Sequence, residues 1–178
     1  MHRIRPLHPQ TDRPLVEAFF QSSADYIQLE RGEAPSPLVT EEYFTDAPPG
    51  CDPAKSLRLG LFNTALFDPA PNSTALIALA EMGFGYPTAT DAYLGLMMVA
   101  PAARGTGAGR FLLRHLEQAA RQNHMQNLYL GVLDANPRGR AFWQREGFTL
   151  ALANRPITLG QKTQLAHRLV KPLTPERP

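Results

Sequence analysis

Between Val99 and Arg110 the chain reads Val-Ala-Pro-Ala-Ala-Arg-Gly-Thr-Gly-Ala-Gly-Arg. Three glycines, Gly105, Gly107 and Gly109, open an amphipathic stretch, with Arg104 and Arg110 on either side. The first N–H groups of a helix lack intrahelical partners and carry the positive end of its dipole. Glycines let an anion approach those groups closely, so this turn reads as a phosphate site. Two common phosphate loops do not fit it. The dinucleotide pattern G-x-G-x-x-G, started at Gly105, requires glycine where Arg110 stands. The nucleoside-triphosphate loop requires a Gly-Lys-Ser/Thr run, and the lysine is missing.

The elements around this turn follow from hydrophobic period. Thr74–Ala80 and Tyr93–Val99 are near-continuous apolar runs, as expected of buried strands. From Gly107 to about Asn123 the period becomes helical, with Gly109, Leu112, Leu113, Leu116 and Ala120 on one face. Leu128–Leu133 is again strand-like. Asn136-Pro137 predicts a capped helix through Glu146, stopped by Gly147. Pro156–Leu159 and Gln164–Val170 predict a hairpin about Gly160. Upstream, a short edge strand is expected around Ile4. A helix capped at Thr11-Asp12 should follow, then helical turns up to Gly32 and a helix from Pro37 to Phe44. Residues 35–71 carry seven of the 17 prolines and predict mostly loop, interrupted by a strand at Leu57–Phe62. Gly83, Gly85 and Pro87 are expected to end the first core strand region. This order indicates one α/β or α+β sheet domain over residues 1–178.

Arg104-Gly105-Thr106-Gly107-Ala108-Gly109 matches (Gln/Arg)-x-x-Gly-x-(Gly/Ala), and Asn136-x-x-x-x-Ala141-Phe142-Trp143-x-x-x-Gly147-Phe148 follows at the expected distance. Together they resemble the two signatures of the GNAT superfamily of acyl-CoA-dependent N-acetyltransferases, most strongly over Tyr93–Phe148. The resemblance implies a mixed, mostly antiparallel central sheet with a splayed central strand pair, flanked by helices. It implies acetyl-CoA as cofactor, with a cofactor core at about 93–148 and an acceptor side built from 1–60 and 150–170. The backbone of Met97, Met98 and Val99 would pair with the pantetheine arm like an added strand. The pyrophosphate would rest on the turn from Arg104 through Gly105, Thr106, Gly107, Ala108 and Gly109. Arg104 and Arg110 would add charge or remain solvated surface arginines. Asn136 would cap its helix and reach the pantetheine, and Phe142 would pack beside it.

Trp143, which the resemblance also places with Phe142 beside the cofactor, departs from the family. Many members place there a tyrosine that protonates the departing thiolate. An indole N–H is no acid near neutral pH, so that role does not carry over, although a thiol with pKa near 8.5 can leave as thiolate. Tyr129 is a substitute candidate in a position better suited to packing. The implied reaction is direct attack of a neutral amine on the acetyl thioester, which needs a nearby base. Glu81 is the candidate base or water-positioning residue, with Asp91 second. Tyr26, Glu30, Tyr86 and Tyr93 are candidate acceptor-pocket residues. The acceptor would be a primary amine of a small molecule or a protein. A non-catalytic acyl-CoA-binding protein or sensor is the alternative that the Trp143 departure motivates.

Composition narrows the remaining classes. A chain of 178 residues with 43% hydrophobic and 19% charged residues can build a core without disulfides, and its single cysteine, Cys51, forms no intrachain bridge. The five histidines are too dispersed for a metal site. A net charge of +2 and scattered basic residues argue against a nucleic-acid partner. No apolar run approaches the ~20 residues of a membrane span, and the first residues lack a signal-peptide core, so a cytoplasmic location is the expectation. A homodimer through an exposed edge of the terminal hairpin is also an expectation.

Overall fold

In this computed structural model, residues 2–64 and 74–173 are described. One seven-stranded sheet runs in the order β1-β2-β3-β4-β5-β7-β6. Its members are β1 (His2–Pro6), β2 (Leu57–Thr64), β3 (Thr74–Phe84), β4 (Asp91–Val99), β5 (Asn127–Leu133), β6 (Thr149–Leu159) and β7 (Lys162–Pro172). All neighbours are antiparallel except β4 and β5. The helices are α1 (Pro9–Ser22), α2 (Ala24–Arg31), α3 (Pro37–Thr45), α4 (Ala108–Gln122) and α5 (Pro137–Arg145).

Two apolar clusters cover the two faces of the sheet. On one face Leu112, Leu113, Leu116 and Ala120 of α4 pack with Ala78, Ala80 and Met82 of β3 and with Trp143 of α5. On the other, Val16, Phe19 and Phe20 of α1 and Ile27 of α2 pack with Leu79 of β3 and Met98 of β4. Alternation along β3 therefore serves both layers, which is why Thr74–Ala80 reads as continuously apolar. Each fully buried Leu or Phe contributes about 1.5–3 kcal/mol.

Besides shifts of one or two residues at the ends of β2, β5 and β7, four boundaries differ from the sequence expectation. First, α1 begins at Pro9 with His8 as its N-cap, so Asp12 lies inside the first turns and is not the cap. Its carboxylate instead accepts the His8 N–H at 2.9 Å and the Arg5 guanidinium at 2.7 and 2.9 Å. Second, β3 continues past the apolar run through Glu81 and Gly83 to Phe84, because ladder pairing with β2 and β4 uses backbone groups. Gly83 permits this, since a Cβ there would lie 2.6 Å from Pro48. Third, β4 starts at Asp91, which is buried and accepts from Thr88 N–H, Thr88 Oγ1 and Asn127 Nδ2 at 3.2, 2.8 and 2.8 Å. Asp91 is thus committed to the turn before β4 and the start of β5. Fourth, β6 begins at Thr149 and not at Pro156, with Asn154 at φ 54° and irregular register against β7. As an edge strand it tolerates Pro156. Part of the proline-rich 35–71 segment lies outside the described residues.

The Arg5–Asp12 pair has a testable consequence. The guanidinium, with help from the His8 N–H, holds the Asp12 carboxyl down at about 2. A carboxyl depressed in the folded state contributes stability above its unfolded pKa, near 3.9, and loses it as pH falls toward 2. Asp12→Asn should therefore destabilise the chain by about 1–2 kcal/mol at pH 7, a value discounted because Arg5 is partly solvated. Urea melts should show that difference closing between pH 4 and pH 2.

Candidate functional site

The site begins with one extra residue in β4. Glu81 of β3 pairs with Leu96 of β4, but the next residue, Met82, pairs with Leu94, leaving Gly95 as a bulge. A bulge reverses which side chains face which layer. Ala92 and Leu94 belong to the α4 layer before it, whereas Leu96 and Met98 join the α1–α3 layer after it. The same point ends the parallel pairing. β4 and β5 are in register from Asp91↔Asn127 to Leu94↔Leu130 only, and β5 continues beside β7 alone. The strands splay from Gly95 onward.

The splay leaves backbone groups of β4 open on one side. Ala100 N–H donates to Ile77 of β3 at 2.9 Å. Backbone groups alternate direction along a strand, so Met98 also faces β3, while Met97 and Val99 face the opening. Val99 C=O there accepts Arg104 Nε at 3.1 Å.

The turn after β4 has the form its composition implied. Gly105 (φ 80°) and Gly107 (φ 92°) sit in the left-handed region, and a Cβ at either would meet nothing within 4 Å among the described residues. Gly107 is the N-cap of α4, whose first helical bond is Phe111 N–H to Gly107 C=O at 3.0 Å. The N–H groups from Gly105 through Arg110 find no acceptor among the described residues. Arg104 N–H is already given to Pro101 C=O at 3.3 Å. Thr106 Oγ1 donates to Ala103 C=O at 2.7 Å, which pins the turn. An open, donor-lined concavity at a helix N-terminus fits a pyrophosphate.

The two flanking arginines are engaged by carboxylates. Arg104 makes a two-pronged pair with Asp25 of α2, its Nη2 to Oδ1 bond being 3.0 Å, and this lowers the Asp25 pKa. Arg110 Nε donates to Glu146 Oε1 at 2.9 Å. Asn136 accepts the Gly139 N–H at 2.9 Å, so it caps α5. Phe142 lies where a Cβ on Gly109 would come within 3.5 Å of its ring, locking α5 against the start of α4. Trp143 is buried between Phe142 and Phe148, with ring centroids 4.8 and 5.2 Å away. It packs in the core and offers no acid.

On the α1–α3 side of the bulge lies a cavity of about 250 Å³. Its walls include Phe20, Ile27, Val39, Tyr43, Leu96 and Met98, with Tyr93 and Gly95 at the splay. Its polar lining comprises Glu30, Glu42, Asp46 and Glu81, with Arg31 as the cation. Glu81 is 6% exposed, and its Oε1 has no hydrogen-bond partner among the described residues. Its other oxygen, Oε2, occupies the space a side chain at position 95 would need, 2.3 Å from that Cβ. Glycine at the bulge is therefore required for the carboxylate to lie against β4. Burial pushes the Glu81 carboxyl up; the Ser56 hydroxyl and the Arg58 charge oppose it, and the Asp46 charge, the smallest effect, adds to it.

Of the candidate acceptor residues, Glu30 and Tyr93 line this cavity, whereas Tyr26 and Tyr86 stand behind them. Burial, and then the neighbouring Glu30 charge, push the Tyr26 hydroxyl up. Tyr86 packs edge-on against Tyr93 at 5.2 Å and accepts Arg168 Nη2 at 2.7 Å. The Tyr93 hydroxyl lies 3.3 Å from where a Cβ on Gly131 of β5 would stand, so its ring reaches across the splay. Arg31, Glu42, Asp46 and the Gly95 bulge were not expected. An arginine–glutamate pair between two helices leaves no local trace in sequence. Gly95 inside an apolar strand pattern is such a trace, since an isolated glycine there signals a bulge or a close approach.

Comparison with known proteins agrees with this geometry. The family model described as Acetyltransferase (GNAT) family matches residues 27–148. An acetyltransferase from Thermus thermophilus is 26% identical, with a TM-score of 0.68 and 97% of each chain covered. The ribosomal-protein-S18-alanine N-acetyltransferase of Escherichia coli is 20% identical, with a TM-score of 0.66, covering 99% of this chain and 97% of that one. A GCN5-related N-acetyltransferase from Kribbella flavida is also 20% identical, with a TM-score of 0.66, covering 96% and 97%. No curated protein matched the sequence. With its splayed strands, its glycine turn and a family match over most of its length, the chain belongs to the GNAT family of acetyltransferases and is an acyltransferase.

Proposed function

We propose that the chain transfers the acetyl group of acetyl-CoA to a primary amine, of a small molecule or a protein, by direct attack. The observation that carries this is Glu81, a buried carboxylate whose Oε1 has no hydrogen-bond partner among the described residues, in a cavity lined by Tyr93 and Gly95 at the splay. Acetyl-CoA supplies an acetyl thioester, whose C–S bond is exchanged for a C–N bond. The N–H groups of Gly105 through Arg110 would hold its pyrophosphate. The open backbone of Met97 and Val99 would hold its pantetheine amides, and a β4 N–H near the bulge would polarise the carbonyl. Glu81 receives the proton of the attacking amine, directly or through a water. Its raised pKa suits it to that task near neutral pH. With Trp143 buried, the sulfur leaves without a tyrosine acid, which a thiol pKa near 8.5 permits.

No helix among the described residues is long and apolar enough to cross a membrane. Dependence on acetyl-CoA supports a cytoplasmic setting.

Incubation with acetyl-CoA and a panel of alkylamines, diamines, amino acids and peptides should release free CoA with at least one class. Tight acetyl-CoA binding with no transfer to any of them would overturn catalysis and leave a binding-only protein.

A further inference from the structure

The cavity beside Glu81 carries more negative charge than proton abstraction requires. Four carboxylates line it against one guanidinium. That guanidinium, Arg31, is 7% exposed and committed to Glu42, with Nη1–Oε2 at 2.5 Å and Nη2–Oε1 at 3.1 Å. The groups are graded in depth: Glu81 is buried, Glu30 and Glu42 are half-buried, and Asp46 is exposed at the rim. Between them Ile27, Val39 and Leu96 form an apolar wall.

Uncompensated carboxylates in a partly enclosed space are costly unless a cation joins them. Burial raises Glu30, Asp46 and Glu81; Glu42 adds to it at Glu30 and Asp46 and Asp46 adds to it at Glu81, while Arg31 opposes it at Glu30 and Asp46 and Arg58 opposes it at Asp46 and Glu81. In the same cavity Glu81 Oε1 receives no hydrogen bond within ordinary geometry among the described residues, Ser56 being the donor that acts on that carboxyl. At about 250 Å³ the space is smaller than the ~300–1,000 Å³ of drug-sized pockets, so the acceptor group must be slender.

We propose that the acceptor is a short aliphatic diamine or polyamine, one nitrogen lying at Glu81 and a second, protonated nitrogen held by Glu30 and Asp46 toward the rim. This rests on the acetyl-transfer reading above. The methylene stem lies on the apolar wall. At the inner nitrogen a C–N bond forms as the thioester C–S bond breaks, and the electron pair of that bond leaves with sulfur. Of the two protons the inner ammonium loses, one passes to Glu81 and thence to solvent, and the other ends on the thiol. The outer ammonium is unchanged and sets specificity.

The test is calorimetric binding of 1,4-diaminobutane and 1,5-diaminopentane to the CoA-saturated protein, compared with butylamine, pentylamine and an N-acetylated lysine peptide. The diamines should bind about tenfold more tightly than the monoamines of equal length and weaken with added salt. Asp46→Asn and Glu30→Gln, with CoA affinity intact as the folding check, should each reduce that preference several-fold. Equal affinity for diamine and monoamine, tighter binding of the lysine peptide, or no diamine binding at about 10 mM, where even a weak millimolar site would fill, would overturn the proposal. A diamine preference in binding without CoA release would overturn acetyl transfer alone.

Discussion

Gly107→Glu should abolish acetyl-CoA binding, weakening it at least about 100-fold, which is about 2.7 kcal/mol. Gly107 caps α4 at φ 92°, and its missing Cβ points into open space beside the free N–H groups of Gly105 through Arg110. A glutamate there carries a carboxylate into the volume an anion must occupy. It neutralises the helix dipole and repels a pyrophosphate. Backbone strain is a separate effect, since a non-glycine residue in the left-handed region costs about 1–2 kcal/mol. Gly107→Ala isolates it: the alanine variant carries that strain and adds no charge. Titration with CoA should therefore rank wild type above Gly107→Ala and both far above Gly107→Glu. Far-UV circular dichroism should stay unchanged throughout. Equal CoA affinity for glutamate and alanine variants would remove the phosphate assignment from this turn.

Glu81→Gln should lower kcat by about 10²–10⁴-fold, the usual worth of a positioned base, with CoA affinity unchanged. The variant keeps the shape that Gly95 accommodates and loses only the ability to take a proton. In the wild type the acid limb of the kcat/KM profile should lie above the ordinary carboxylate range, because burial holds the Glu81 pKa up. That limb should vanish in the variant. Stability should move the other way. A carboxyl whose folded pKa is raised favours folding below its unfolded pKa and loses that contribution as pH rises through the folded value. At pH 7 the charged Glu81 is thus a burden, and Glu81→Gln should raise Tm while lowering kcat. A residue retained against stability is what a functional carboxylate looks like. Loss of Tm together with kcat would instead mark Glu81 as structural.

The Arg104–Asp25 pair links the two halves of the site. It ties the turn after β4 to α2, the helix that also carries Glu30 and Arg31 into the acceptor cavity. The glycine turn and the cavity wall are therefore braced against one another across 79 residues of sequence.

Much of the glycine turn and of the helices around it was legible in the residue order. Asn136-Pro137, the Gly105–Gly109 spacing and the apolar face of α4 are local features. Their consequences follow from the φ of a few residues, an unpaired N–H or the period of one helix, so a short window of residues contains the whole cause. The strand limits were less legible. β3 extends through Glu81 and Gly83, and β6 begins at Thr149, because ladder bonds from neighbouring strands override side-chain pattern. The acceptor side was legible only in outline. Glu81, Glu30 and Tyr93 carry no motif that says they share a cavity, and Arg31 and Glu42 meet only because α2 and α3 dock on the same sheet face. The Gly95 bulge decides that Leu96 and Met98 turn toward the cavity and that β4 leaves β5. Residue order therefore specified the glycine turn and the family to which the chain belongs. The packing of helices on a splayed sheet decided where the carboxylates converge, since that convergence depends on contacts between residues far apart in the chain.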